Sequence, residues 1–273
     1  MNTNRKVFFT DLDDTLLDSE KNISAENTAA IQKALAQGHR IVICTGRPLL
    51  GAIPQIETLE LDQEGCYAIT YNGGLIYDSY HRKTIFKKGI SLDYTKYIFR
   101  KAEEFDLFCQ TYDDTHLIAP KDSSYLQYYI NSTRMAARID PNCPDSLTDE
   151  PVKILIIDDE GHAKADAYRE AMAAWADGKV EIFYSSPVYL EHVALGISKG
   201  DAVRRLCRYL DIPLENTVAA GDAENDAPML KAAHIGAAMA NAVPVTKAAA
   251  DYITENDCNH SGVAEVIEKF VLD

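Results

Sequence analysis

Short apolar runs that alternate with helical patterns constrain the fold of this chain most. Near the amino terminus, the apolar run Val7 to Thr10 precedes a helical pattern from Ser24 to Gln37. Gly38 ends that pattern, and a second apolar run follows from Ile41 to Cys44. Strands that are apolar throughout are buried on both faces, as in parallel sheets covered by helices. This segment therefore predicts a β-α-β unit.

The same alternation recurs at both ends of the chain. Helices are expected at Leu49 to Leu59 and Lys199 to Leu210, and strands at Tyr67 to Thr70, Thr217 to Ala220, Ile235 to Ala238 and Asp251 to Thr254. A turn at Asn72-Gly73-Gly74 follows the first of these strands and predicts a hairpin. Together the two ends predict an α/β fold with one doubly wound, mainly parallel, Rossmann-like sheet core.

The middle of the chain shows a different pattern, in which polar and apolar residues alternate. Strands are expected at Thr115 to Ala119, Val152 to Ile157, Val180 to Tyr184 and Tyr189 to Val193, and helices at Leu92 to Phe105, Ser123 to Met135 and Ala163 to Ala176. Such alternation is typical of a half-exposed, largely antiparallel sheet. We therefore expect residues 82–192 to form an α+β domain inserted between the two parts of the core, residues 1–81 and 193–273.

The net charge limits the partners of the chain. Its 273 residues carry 27 basic and 42 acidic side chains, a formal net charge of −15. That charge repels nucleic acid and anionic lipid, so neither a nucleic acid nor a membrane is expected as a partner. An anionic metabolite would need a locally positive pocket, built from a metal ion and a few basic residues.

The cysteines and the amino terminus indicate the compartment. The six cysteines are widely spaced, without a CxxC pair or zinc-ligand spacing, and are expected to be reduced, buried thiols: Cys44, Cys66, Cys109, Cys143, Cys207 and Cys258. The first residues become acidic after a very short apolar run, so this segment is not expected to be the apolar part of a signal peptide. No stretch approaches the roughly 18 apolar residues that a membrane span requires. These features predict a cytoplasmic protein.

Two carboxylates follow the first predicted strand. Asp11 and Asp13 are two residues apart just beyond its end, and in an extended chain their side chains point the same way. Open α/β sheets bind ligands at the carboxyl ends of their strands. A calcium loop starting at Asp11 is excluded, since its sixth residue would be Leu16 instead of glycine and its twelfth Asn22 instead of glutamate. A solvated acidic loop is the alternative.

Groups suited to binding an anion occur in two later segments. Thr45-Gly46-Arg47 follows a predicted strand and offers a hydroxyl and a backbone N–H that glycine leaves open to close approach. An ordinary strand-to-helix turn would also explain this segment, and Arg47 could clamp a substrate anion or pair with surface carboxylates. Lys199 begins a predicted helix, where the helix dipole disfavours a cation. It either neutralises a phosphate and a nucleophile or is an exposed lysine.

A further group of oxygen-bearing side chains follows a strand near the carboxyl terminus. Asp222 and Asp226 are four residues apart, with Asn225 between them. Hard divalent cations bind oxygen ligands. Asp222 and Asp11, together with the backbone carbonyl of Asp13, would supply three protein oxygens. Asp222 could instead, or in addition, cap the helix that follows.

In this order, the four segments resemble the motifs of the haloacid dehalogenase-like (HAD) phosphatases. The matching positions are Asp11-x-Asp13-x-Thr15, Thr45-Gly46-Arg47, Lys199 and Gly221-Asp222-x-x-Asn225-Asp226. The insertion, together with Ile69 to Gly73 and Glu191 to Gly200, resembles the Cof-type sugar-phosphatase branch, which has a large α/β cap of the C2 type. The resemblance spans essentially the whole chain and implies that the inserted domain is a cap that selects the substrate.

The resemblance implies a magnesium-dependent phosphatase that passes through an aspartyl-phosphate. Asp11 would attack phosphorus, while Asp13 would protonate the leaving oxygen and then activate water. The implied Mg²⁺ ligands are Asp11, the Asp13 carbonyl and Asp222. The implied phosphate ligands are the Leu12 N–H, the Thr45 hydroxyl, the Gly46 N–H, Lys199 and Asn225. Further candidates for supporting the site or binding substrate are Asp226, which would steady Lys199 or a metal-bound water, Arg47, Asn72, Glu191 and His192.

Two positions depart from the family pattern. Asp14 stands where glycine is common, and Gly74 stands where alanine is usual. Asp14 adds negative charge near the site, but adjacency in a strand-like segment should turn it to the opposite face from Asp13. We expect the chemistry to be intact.

The expected partner is a small phosphorylated metabolite. The resemblance implies sugar phosphates first and other phosphomonoesters, such as pyridoxal phosphate, second. A phosphotransferase or mutase could use Asp11 and magnesium in the same way, and a non-catalytic metabolite-binding regulator could share the fold. A dinucleotide-dependent dehydrogenase is disfavoured, because no GxGxxG follows the first strand. The chain is expected to be a monomer or a weak homo-oligomer.

Overall fold

Two compact units make up the computed structural model of the chain, which describes residues 5–133, 135–158 and 161–272. Residues 1–86 and 198–273 form one unit, and residues 87–197 form the other. Both boundaries lie later in the chain than predicted. The strand Lys83–Lys87 extends the first sheet, and the strand Tyr189–Ala194 belongs wholly to the second sheet, so neither predicted boundary coincides with the end of an element.

The elements alternate as the sequence pattern indicates. The strands are β1 Val7–Thr10, β2 Arg40–Cys44, β3 Tyr67–Thr70, β4 Leu75–Asp78, β5 Lys83–Lys87, β6 Phe108–Tyr112, β7 Leu117–Ala119, β8 Ala137–Ile139, β9 Lys153–Ile157, β10 Val180–Ser186, β11 Tyr189–Ala194, β12 Thr217–Gly221, β13 Ile235–Ala238 and β14 Tyr252–Ile253. The helices are α1 Ala25–Ala36, α2 Leu49–Thr58, α3 Leu92–Glu104, α4 Ser124–Thr133, α5 Ala163–Ala176, α6 Lys199–Tyr209, α7 Ala227–Ala232, α8 Pro244–Lys247 and α9 Gly262–Phe270.

The first unit is built on a mainly parallel sheet. Its strand order is β14-β13-β12-β1-β2-β3-β4-β5. The strands from β14 to β3 run parallel, and β3 and β4 form the predicted antiparallel hairpin. The side chains of β1 are all buried, as expected for a strand in the middle of a sheet that helices cover. The predicted fold class is confirmed.

Capping side chains fix where two helices of this unit begin. The Ser24 hydroxyl accepts a hydrogen bond from Asn27 N at 3.1 Å at the start of α1. At the start of α6, the Ser198 hydroxyl accepts from Asp201 N at 3.0 Å. Serine caps satisfy backbone N–H groups that otherwise lack a helical partner. The second cap makes Lys199 the first residue of α6 and so determines where its side chain starts.

The second unit has a sheet of its own, with the strand order β10-β11-β9-β6-β7-β8. Neighbouring strands are antiparallel, except that β7 and β8 run parallel. This matches the largely antiparallel sheet expected from the alternating pattern. Helices α3 and α5 pack against β6 and β10.

Bilayer spanning requires a long apolar helix, and none of the helices in the described residues meets that requirement.

Candidate active site

The carboxyl ends of three neighbouring strands bring the predicted site residues together. Strand β1 is hydrogen-bonded to β2 on one side and to β12 on the other, all parallel. Asp11 directly follows β1, Thr45 follows β2 and Asp222 follows β12. Because parallel strands end at the same edge of a sheet, these three residues start from adjacent positions.

Asp11 is buried against a lysine. Lys199 Nζ donates to Asp11 Oδ1 at 2.5 Å and to Asp226 Oδ1 at 2.5 Å. The exposed fractions are 6% for Asp11, 1% for Lys199 and 0% for Asp226. Burial alone would lower the pKa of Lys199, but the two carboxylates outweigh it and raise the pKa above its ordinary value. The lysine is therefore a fixed positive charge beside Asp11.

Asp226 also shapes the loop after β12. Its Oδ2 accepts from the backbone N–H groups of Asp222 at 3.1 Å and Ala223 at 3.0 Å. A β-carbon on Gly221 would lie 2.5 Å from the β-carbon of Asp226, so only glycine fits there. Asp222 makes a different contact, in which its Oδ1 accepts from the Thr15 hydroxyl at 2.7 Å. Asp226 therefore holds the loop, and Asp222 faces the turn after β1.

Three carboxylates converge at this edge of the sheet. Asp11, Asp222 and Asp226 each offer one oxygen, and the three oxygens lie within 4.8 Å of one another. Hard cations such as Mg²⁺ bind oxygen donors of this kind. Lys199 balances one negative charge, and a divalent cation would balance the rest. The donor set therefore fits a hard divalent cation.

The crowding of these carboxylates changes their pKa values. Burial raises the pKa of Asp11 to about 7, although the charge of Lys199 acts in the opposite direction. Burial, followed by the charges of Asp226 and Asp11, raises the pKa of Asp222 to about 9. A cation bound between Asp11 and Asp222 would favour the ionised form of both.

The chain turns immediately after β1. Leu17 N donates to the Leu12 carbonyl at 2.8 Å, and Asp14 has a φ of 58°. Because the positive φ lies at Asp14, beyond both Asp11 and Asp13, the prediction that these two side chains point the same way stays a prediction. Leu12 itself is buried in the core of the unit.

Asp13 is held by an arginine from the next strand loop. Arg47 Nε donates to Asp13 Oδ2 at 2.7 Å, and Arg47 Nη2 donates to Asp13 Oδ1 at 2.6 Å. Lys21 Nζ lies 3.1 Å from Asp13 Oδ1. Burial would raise the pKa of Asp13, but Arg47 and Lys21 outweigh burial and lower it below its ordinary value. Of the two roles considered for Arg47, the structure shows pairing with a carboxylate.

The loop after β2 lies against two asparagines. The Thr45 hydroxyl accepts from Arg47 N at 3.0 Å, and the Thr45 carbonyl accepts from Asn72 N at 3.1 Å. A β-carbon on Gly46 would lie 3.0 Å from Asn72 Oδ1, which in turn accepts from Asn225 Nδ2 at 2.8 Å. Asn72 thus joins the Thr45-Gly46 segment to Asn225.

The model of one protein family matches residues 8–267 of the chain, and its description is haloacid dehalogenase-like hydrolase. This match includes every candidate site residue named above. The chain belongs to the haloacid dehalogenase-like hydrolases. The predicted family and the expectation of a hydrolase are confirmed.

Similar proteins of matching length are found among both curated sequences and solved structures. A Streptococcus pyogenes protein with a provisional phosphatase name is 35% identical over 272 residues, covering 98% of this chain and 99% of that protein. A Bacillus subtilis 5-amino-6-(5-phospho-D-ribitylamino)uracil phosphatase is 31% identical, covering 98% and 96%. The crystal structure of a haloacid dehalogenase-like hydrolase from Bacteroides thetaiotaomicron is 30% identical with a TM-score of 0.87, covering 97% and 99%.

In this haloacid dehalogenase-like hydrolase, the two candidate residues of the second unit have different surroundings. Glu191 forms a buried ion pair with Lys153, Oε2 to Nζ at 3.1 Å, and its Oε1 accepts from the Ser185 hydroxyl at 2.6 Å. His192 is buried and its Nε2 is hydrogen-bonded to the Tyr168 hydroxyl at 2.9 Å. Burial lowers the pKa of His192 to about 3. The contacts of His192 are those of a packed interior side chain.

The two departures from the family pattern have different consequences. Lys21 Nζ lies 3.1 Å from Asp13 and 3.3 Å from Asp14, so the two carboxylates share one cation. The expectation that Asp14 points to the opposite face from Asp13 is therefore wrong, because the turn after β1 brings both near Lys21. Gly74 has a φ of −70°, which alanine also adopts readily.

Two residues that contact the site received no role from the sequence. Thr15 belongs to the first motif, and its hydroxyl binds Asp222. Lys21 lies beyond that motif and reaches Asp13 only because the chain reverses between Asp18 and Asn22. The Thr15 contact could have been inferred from the motif, whereas no feature of the sequence indicates the Lys21 contact.

Proposed function

We propose that the chain is a magnesium-dependent phosphatase that hydrolyses a small phosphomonoester through an aspartyl-phosphate on Asp11. The observation that carries this proposal is the buried contact of Asp11 with Lys199, next to Asp222. A protein that only binds a metabolite has no need of a carboxylate nucleophile with a second carboxylate two residues later. Charge neutralisation and positioning are what phosphoryl transfer requires.

The reaction would proceed in two steps. In the first step, an oxygen of Asp11 bonds to phosphorus while the bond from phosphorus to the leaving oxygen breaks. The leaving oxygen takes a proton from Asp13. Water then gives a proton to Asp13 and its oxygen bonds to phosphorus as the bond from phosphorus to the Asp11 oxygen breaks, which releases inorganic phosphate and regenerates the Asp11 carboxylate. Lys199 lowers the repulsion between the Asp11 carboxylate and an approaching phosphate, because its ammonium group is fixed beside the nucleophile.

The residues that would hold Mg²⁺ are Asp11, Asp222 and the backbone carbonyl of Asp13. When bound there, the cation would supply charge stabilisation for the transferring phosphoryl group. Asp226 is the third carboxylate of this cluster, but both of its oxygens already accept hydrogen bonds. We therefore assign Asp226 to holding Lys199 and the loop after β12.

The remaining phosphate ligands in this proposal come from the same edge of the sheet. They are the Leu12 N–H, the Thr45 hydroxyl, the Gly46 N–H, Lys199 and Asn225. The proximity of Gly46 to Asn72, and of Asn72 to Asn225, supports a single binding site for this set.

Sugar phosphates are the first substrate class to test, and other small phosphomonoesters such as pyridoxal phosphate are the second. The B. subtilis relative is named for a substrate with a phosphorylated, hydroxyl-rich ribityl chain, which supports this order. In this proposal the second unit is a cap that selects the substrate, with Glu191 and the neighbouring polar groups as candidates. The six cysteines are buried free thiols, and we infer a reducing compartment, the cytoplasm.

The decisive test is phosphate release from a panel of small phosphomonoesters, with and without Mg²⁺. Asp11→Asn removes the nucleophile, and we expect the rate to fall by about a thousandfold or more, since a nucleophile of this kind is essential to the chemical step. Asp62→Asn is the matched control, because Asp62 is exposed and lies outside the candidate site, and it should keep the wild-type rate.

Three other outcomes of this assay would contradict the proposed function. Equal turnover by wild type and Asp11→Asn would rule out the aspartyl-phosphate. Transfer of the phosphoryl group to a second hydroxyl, detected by product analysis, would indicate a phosphotransferase or mutase instead. Absence of turnover on every ester would favour a metabolite-binding regulator.

A further inference from the structure

An asparagine pair at the candidate site has two polar atoms without partners. Asn225 Nδ2 donates to Asn72 Oδ1 at 2.8 Å, while Asn72 Nδ2 and Asn225 Oδ1 are buried and have no hydrogen-bond partner in the described part of the chain. In this arrangement the free N–H belongs to Asn72, and exchanging oxygen and nitrogen in both amides would move it to Asn225, so either way the pair keeps one unused donor. Buried polar groups usually have hydrogen-bond partners, so two unpartnered amide atoms side by side at a candidate site are available to a ligand, an ion or water.

The backbone holds Asn72 in a conformation that side chains rarely adopt. Tyr71 has a φ of 51°, Asn72 a φ of 56° and Gly73 a φ of 104°. Three successive residues in the left-handed region require support from their surroundings. Tyr71 N donates to the Arg47 carbonyl at 3.0 Å, and a β-carbon on Gly73 would collide with the Ser198 carbonyl.

The supported segment places the Asn72 amide among proposed phosphate ligands. It lies against Gly46 on one side and Asn225 on the other. Asn72 and Lys199 are both almost completely buried, with exposed fractions of 0% and 1%. An amide nitrogen donates hydrogen bonds only, so a phosphate oxygen is a suitable acceptor for it.

We propose that Asn72 is a phosphate-binding residue outside the four family motifs. Its amide N–H groups donate to a non-bridging oxygen of the substrate phosphate, and its own oxygen orients Asn225 in the same site. This inference rests on the proposed phosphatase function, but it concerns binding of the phosphate group and can be measured without turnover.

Two substitutions test whether the side-chain N–H of Asn72 matters apart from any effect of an added charge or of the positive φ. Asn72→Asp keeps an oxygen that accepts from Asn225 and a residue type that tolerates positive φ, but it has no side-chain N–H. Asn72→Gly also lacks the side-chain N–H, keeps the backbone N–H, adds no charge and adopts positive φ freely. Asn259→Asp is the control for an asparagine-to-aspartate change, because Asn259 is exposed and binds only Ser19 through its side chain in the described residues.

The experiment measures binding of inorganic phosphate by calorimetry in the presence of Mg²⁺, together with KM, kcat and the thermal unfolding midpoint. We expect both Asn72 variants to bind phosphate about tenfold more weakly or worse, since hydrogen bonds to charged groups are strong. The KM for a phosphomonoester should rise in parallel, and Asn259→Asp should match the wild type.

A folded Asn72→Gly variant with unchanged phosphate affinity would overturn the inference, as would a lowered unfolding midpoint without any change in affinity. If the wild type binds phosphate but turns over no ester, and the Asn72 variants lose that binding, the phosphatase proposal fails and the Asn72 assignment stands. If the wild type neither binds phosphate nor turns over any ester, both fail.

Discussion

Arg47 binds both oxygens of the Asp13 carboxylate. A guanidinium in this arrangement fixes the orientation of a carboxylate and keeps it ionised. The proposed acid step requires a proton on one of these oxygens, so at least one Arg47 hydrogen bond must give way when a substrate is bound. If Asp13 is the acid and base as proposed, Arg47 is the residue that positions it.

Replacing this arginine should affect poor leaving groups most. Arg47→Lys keeps the charge but loses the two-point contact, so we expect kcat for an alkyl phosphomonoester to fall by about 10- to 100-fold, within the usual range for general acid catalysis. The kcat for p-nitrophenyl phosphate should fall much less, because its leaving group needs little protonation. Steady-state kinetics on the two esters measures this difference.

Arg204→Lys is the control for this comparison, because Arg204 is half exposed and pairs only weakly with Asp201. Its kcat on both esters should match the wild type. Equal losses on the two esters in Arg47→Lys would contradict a role through Asp13 and would favour direct binding of the substrate anion.

The residues of the site were predictable to different degrees. Asp11, Lys199 and Asp222 lie at the ends or starts of elements that apolar patterns and caps define, so their meeting follows from the strand order. The path of the chain after Thr10 was not predictable, because the turn at Asp14 is also held by a distant residue, Asn241, whose Nδ2 donates to the Asp14 carbonyl at 2.8 Å. The Asp13–Arg47 pair follows from that path.

At the scale of single elements, strand β11 directs Glu191 and His192 to opposite faces of the second sheet. Glu191 pairs with Lys153 of β9, and His192 contacts Tyr168 of α5. The His192 face is closed over by a helix, so protonation of this imidazole must come at the expense of folding.

This linkage predicts a loss of stability in acid. The folded-state pKa of His192 is about 3, below its value in the unfolded chain, so the unfolded state binds more protons between pH 6.5 and pH 3. The contribution of neutral His192 to the unfolding free energy is present in full above pH 6.5 and is lost as the pH falls. At pH 5, wild type should lose about 2 kcal/mol of unfolding free energy through His192, relative to pH 8.

Urea unfolding at pH 5 and pH 8 tests this prediction. Between pH 8 and pH 5, His192→Gln should lose about 2 kcal/mol less unfolding free energy than wild type, whatever its stability at pH 8. Tyr168→Phe keeps the histidine and should retain the wild-type pH dependence. An identical pH dependence in wild type and His192→Gln would contradict the assignment.

Most elements of the parallel sheet could be predicted, and several in the second unit could not. Strands β1, β3 and β13 are apolar and bounded by turns, and their observed limits equal the predicted ones. Strand β6, Phe108–Tyr112, is buried but contains glutamine and threonine, so no apolar run marks it. Strands β5 and β8 lie at sheet edges and are largely exposed, which removes the pattern that burial imposes.

At the scale of the whole molecule, the acidic site should make stability depend on magnesium. A ligand that binds only the folded chain stabilises it, by about 2.7 kcal/mol at a hundredfold excess over its Kd. We expect Mg²⁺ to raise the thermal unfolding midpoint and EDTA to reverse the shift. Asp222→Asn should reduce the Mg²⁺-dependent shift, because it removes a ligand charge.

Differential scanning fluorimetry with and without Mg²⁺ measures this shift. Asp14→Asn removes a negative charge outside the carboxylate cluster and should keep the wild-type shift. A shift of equal size in wild type and Asp222→Asn would mean that the cation binds elsewhere.

The position of β1 between β2 and β12 also bears on the biosynthesis of the chain. A ribosome makes β1 to β5 first and then residues 87–197, so β12 emerges only after the entire second unit. During that interval one edge of β1 is without its neighbour, and such edges invite association with other chains. The contiguous second unit can meanwhile fold by itself. Slow translation of the final third would therefore prolong the period in which the nascent chain depends on chaperones.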